Sequence, residues 1–147
     1  FKLEQAGADN ESPVEVLMTA HLAMAGLYLG DLQWAIGAGR IQQQFLDLQP
    51  YIGHRILLRM ALGGGLQTDF PAEAAGLHVI DAEQPGQAWL FIGYPIASLA
   101  RPALATGDRG FLFSASRHFD FAHRHGERPV AEHFAHKVAW ARRSWDV

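Results

Sequence analysis

Imidazole nitrogen binds zinc, copper, nickel and iron, and five of the eight histidines lie in one short C-terminal stretch: His118, His123, His125, His133 and His136. Asp120, Glu127 and Glu132 stand among them and can complete a ligand set. His133 and His136, three apart on a predicted helix, share a face. His123 and His125 share one side of an extended segment. The candidate metal ligands are therefore His123, His125, His133 and His136, holding an ion that activates water with Glu132 or Glu127 as general base. The spacing matches neither HExxH nor the cupin pattern HxHxxxxE, so a solvated, histidine-rich surface remains the plainer alternative. Other chemistries have less to stand on. Ser98, Ser114 and Ser116 lie outside any GxSxG elbow, and Gly63, Gly64 and Gly65 belong to no phosphate-binding loop.

Composition narrows the field further. The chain has no cysteine, which excludes disulfides, thiolate metal sites and thiol nucleophiles. A net charge of −3 gives no general attraction to nucleic acid or to an anionic membrane. Apolar residues make up 49% and charged residues 18% of the 147 positions, a low charge density for a small monomer. Part of that apolar surface is expected to be covered by another chain, so the expected partner is a protein or a second copy. The longest apolar run, Val14 to Leu29, is too short to span a bilayer and carries Glu15, Thr19 and His21. A cytoplasmic protein without a transmembrane segment is the expectation. The chain begins at Phe1 and not at methionine, so a processed or truncated product is one expectation.

The elements that must position these residues form one α+β domain over residues 1–147, with no repeat or linker to divide it. Its expected architecture is a helix-rich N-terminal half, an antiparallel β-hairpin or small sheet, and a C-terminal amphipathic helix. Ser12, Pro13 and Glu15 make a helix start, with Gly30 as its stop. A strand over Val14 to Leu22 competes with that reading. Asp31 caps a second helix to about Leu48, with a kink expected at Gly37 and Gly39. Pro50 opens a third, with Ile52, Ile56, Leu57 and Met60 on its apolar face and the three glycines ending it. Leu77 to Ile80 and Trp89 to Ile92 flank a turn and predict a hairpin, with Pro95 at its edge. A short helix or turn at Ala97 to Leu104, a strand at Gly110 to Ser114 and a helix from Pro129 to Trp145 complete the reading.

The order from Leu57 to Leu99, an apolar helix, a strand, an acidic turn and a second strand running into Tyr94, Pro95 and Ile96, resembles the second half of class I type III secretion chaperones. A final helix carrying Trp140 and Trp145 is similar too. The resemblance implies a homodimer that holds an apolar segment of a client, with Trp89, Phe91, Tyr94, Trp140 and Trp145 as candidate partner-binding residues. The run from His21 to Ala38 and the Gly93, Tyr94, Pro95 triplet look like parts of flavin-dependent nitroreductases, which implies a flavoprotein fragment as a further alternative. In mild acid the C-terminal histidines are expected to charge and loosen the last helix.

Overall fold

Gly30 takes a φ of 76°, a left-handed conformation that costs glycine little, and so ends α1 (Val16–Leu29) where the sequence predicts. The Asp31 carboxylate then accepts the Trp34 backbone N–H at 3.1 Å and opens α2 (Leu32–Asp47). The computed structural model describes residues 13–125 and 135–145. Helix α2 runs unbroken through Gly37 and Gly39. Its glycine at 39 leaves room for a neighbour, because a Cβ there would meet the Phe111 ring at 2.8 Å.

Helix α1 starts later than its sequence signature suggests. Val14 and Glu15 form a two-residue strand, β1 (Val14–Glu15), paired antiparallel with β3 (Arg59–Met60) in the register Val14↔Met60 and Glu15↔Arg59. The expected helix after Pro50 is not formed. That segment makes β2 (Arg55–Leu57) and then β3, because its burial repeats every second residue: Ile56, Leu58 and Met60 are buried, while Arg55, Leu57 and Arg59 reach outward. The glycines at 63–65 belong to the turn after β3, closed by the Ala61 N–H on the Gly65 carbonyl at 2.9 Å.

A 3-10 turn (Ala72–Ala74) and one turn of helix, α3 (Ala75–His78), lead into β4 (Val79–Asp81). This strand pairs antiparallel with β2, Ile80 opposite Ile56. The expected hairpin is therefore replaced by two small antiparallel sheets, β1 with β3 and β2 with β4, whose partners are far apart in sequence. The α+β class holds.

Trp89 to Ile92, read as a strand, instead enters α4 (Leu90–Thr106), which also absorbs Pro95, Pro102 and the expected short helix. The Asp108 carboxylate accepts the Gly110 N–H at 2.8 Å and opens α5 (Arg109–Arg124), so the strand predicted at Gly110 to Ser114 is helical as well. The last helix, α6 (Ala135–Trp145), is present, and its predicted start at Pro129 lies outside the described residues. Helix α4 is the hub, packing on α1, α2, α5 and α6. Ile56 and Ile80 from the strands and Leu58 between β2 and β3 meet Trp89, Ile92, Ile96, Phe121 and Val138 in the main core. None of the described helices is long and apolar enough to cross a membrane.

Candidate functional site

Helix α1 contains no Asp, Glu, Lys or Arg, and apolar residues lie on all its sides. Val16, Ala20, Ala23 and Met24 face the protein and are buried. On the opposite side Met18, Leu22, Ala25 and Leu29, spaced by four, three and four residues, form an exposed stripe. Met18 is 62% and Leu29 77% exposed, and Tyr28, Leu32 and Trp34 extend the apolar surface across the α1–α2 corner. A contiguous apolar surface of this kind marks an interaction site more often than a scattered exposed leucine does.

At the N-terminal end of this stripe lies a groove of about 440 Å³, lined by Pro13, Val14, Met18, Leu22 and Ile41, with Glu15 and Arg59 its charged members. The β1–β3 register sets these two side by side, 3.8 Å between Arg59 Nη2 and Glu15 Oε1. Arg59 Nη1 stands 3.5 Å from His78 Nε2, and Phe70 stacks on the His78 ring. Burial, with the Arg59 charge second, lowers the His78 pKa and so disfavours the charged imidazole beside the guanidinium. Sequence reading missed Arg59 and His78. The alternation of Ile56, Leu58 and Met60 is the signal that would have placed Arg59 on the opposite face.

The predicted partner-binding aromatics lie elsewhere. Trp89 is fully buried and Phe91 nearly so, because Trp89 at the N-cap and Phe91 in the first turn of α4 join Ile56, Leu58 and Ile80 in the core of this chain. They are not surface. Tyr94 and Trp140 are half-buried against each other at 5.7 Å, with the Lys137 ammonium over the Tyr94 ring and the Arg101 guanidinium over Trp140, and so join α4 to α6. Trp145 closes α6, and its side chain lies outside what is described.

The predicted metal ligands do not converge among the described residues. His123 is exposed and stacks on Phe119, since α5 continues through it where an extended segment was expected. His125 turns its Nε2 to the Gly53 carbonyl at 3.1 Å. His136 lies on the exposed side of α6, and His133 falls outside the described residues. His118, five residues before His123 on α5, is buried with its Nδ1 on the Ser114 carbonyl at 3.2 Å. Desolvation lowers its pKa to about 4, against the raising effect of that hydrogen bond. The group that does meet is His54, Asp81 and Glu83, with one ligand atom from each lying within 4.8 Å of the others.

No protein-family model, no curated protein sequence and no solved structure matches the chain. The functional reading therefore rests on the geometry of these surfaces.

Proposed function

We propose that this protein binds polypeptide partners, beginning with a second copy of itself, through the outer face of α1. The observation that carries the reading is the exposed stripe Met18, Leu22, Ala25 and Leu29 on a helix free of charged residues. A helix that is apolar all round is ordinarily buried on every side, yet one chain covers only half of α1. A two-fold contact sets the same patch against itself, and this patch brings no like charges together. The groove beside Pro13 and Val14 shares Met18 and Leu22 with this face, so it extends the same surface toward an apolar polypeptide segment, as in a secretion chaperone.

Sedimentation equilibrium of the full chain tests the reading. The wild type is expected to form a dimer at micromolar concentration, and Leu22→Glu with Leu29→Glu to stay monomeric with an unchanged circular dichroism spectrum. A wild type that is monomeric throughout, or a dimer indifferent to the paired substitution, overturns it.

A further inference from the structure

We infer that His54, Asp81 and Glu83 form a binding site for a divalent transition metal of the zinc class, at the end of the β2–β4 ladder and away from the α1 face. The ladder itself brings the residues together. Arg55 pairs with Asp81, so His54 falls one residue beyond the register on β2, and the Ala82 N–H holds its carbonyl at 2.7 Å. The chain turns immediately after Asp81, with the Gln84 N–H on the Asp81 carbonyl at 3.0 Å, and this returns Glu83 toward His54. His54 Nδ1 and Glu83 Oε1 end 3.9 Å apart, a separation that one ion can bridge with a small movement of the exposed Glu83.

The donor chemistry selects the ion. One imidazole nitrogen and two carboxylate oxygens suit zinc or its neighbours, whereas calcium takes six to eight oxygens. Three protein ligands leave coordination positions open to solvent, the pattern of a site that binds water or a small ligand and not of a closed structural site. Surface clefts of about 320 Å³ and about 250 Å³ border the group, one lined by His54 and the other by Asp81.

Asp81 is the anchored member. Its Oδ1 accepts the Glu83 N–H at 3.0 Å and its Oδ2 the Arg55 Nε–H at 2.8 Å, while its own N–H donates to Gln87 Oε1 at 2.9 Å. Each carboxylate oxygen has a further lone pair, and outer hydrogen bonds of this kind orient a ligating carboxylate. Asp81, Glu83 and Arg55 together leave one net negative charge to meet the cation. The Arg55 side chain is 64% exposed, so solvent screens its charge.

Isothermal titration of the metal-free full chain with Zn²⁺, and separately with Ca²⁺, tests the site. One Zn²⁺ per chain and no Ca²⁺ is expected. His54→Ala removes a half-exposed imidazole and Glu83→Gln an exposed charge, and each is expected to weaken Zn²⁺ at least about tenfold with an unchanged circular dichroism spectrum. The triple variant His123→Ala, His125→Ala, His136→Ala is expected to bind as the wild type does. Absence of Zn²⁺ binding, full affinity in His54→Ala, or loss of binding in the triple variant overturns the assignment.

Discussion

Lowering the pH from about 7.5 to about 5 drives a proton toward His118, which the folded chain holds only 2% exposed inside α5. The Ser114 carbonyl can only accept, so Nδ1 carries the hydrogen of a neutral ring. Burial lowers the pKa to about 4, with the nearby Arg117 charge acting in the same direction. An unfolded chain releases its histidine proton near 6.5, so between the two values the unfolded state binds more protons. The sign follows: the contribution is complete above about pH 6.5, falls as the pH drops through that value, and stops falling below about pH 4. With those two pKa values the loss is about 2 kcal/mol at pH 5 and about 3 kcal/mol below pH 4. Urea unfolding at the two pH values measures it. His118→Gln keeps a donor for the Ser114 carbonyl but cannot titrate, so its stability is expected to change about 2 kcal/mol less than that of the wild type between pH 7.5 and 5. The residual slope is expected to keep the same sign, because burial and the Arg59 charge also lower the His78 pKa. An equal loss in His118→Gln and the wild type would show that other histidines set the slope and that the burial argument is wrong.

Gly93→Ala is expected to lower stability by about 2 kcal/mol in urea unfolding, since the new Cβ would meet the backbone of α6 at 2.7 Å from the Lys137 carbonyl oxygen. Gly37→Ala, exposed in the interior of α2 with nothing within 4 Å, is expected to raise it by about 1 kcal/mol. Ser98→Ala removes the buried hydroxyl that lies 2.9 Å from Gln42 Oε1, leaving an amide whose Nε2 already lacks a partner, and is expected to cost about 2 kcal/mol. Adding Gln42→Leu to Ser98→Ala is expected to recover much of that loss by thermal melting, because it removes the stranded amide. Arg40→Ala is expected to cost less than about 1 kcal/mol, as its 2.6 Å ion pair with Asp108 is exposed.

The helical hairpin of α1 and α2 was legible because its punctuation is local. Gly30 and Asp31 act within one turn of themselves, and no distant contact changes what they do. The exposed stripe of α1 was not: the apolar run from Val14 to Leu29 reads as a core element, and only the packing of α2 and α4 on one side of the helix leaves Met18, Leu22, Ala25 and Leu29 outside. The run from Ile52 to Met60 was not legible either. Its apolar spacing suits a helix or a strand, and the decision came from ladder partners supplied by Val14 and Glu15 on one side and by Val79 to Asp81 on the other. Trp89 to Ile92 carries strand-forming residues, yet these four enter α4 because that geometry buries them with Phe121 and Val138. The histidines divide on the same principle. Sequence alone determined that imidazoles are concentrated near the C-terminus, but it could not say that His118 is sealed in the interior while His123, five residues later on α5, is exposed. Nor could it bring His54 to Asp81 and Glu83, which only the β2–β4 register does. Residue type and local spacing set which groups the chain carries, whereas long-range pairing and burial decide which of them meet and which lose their water.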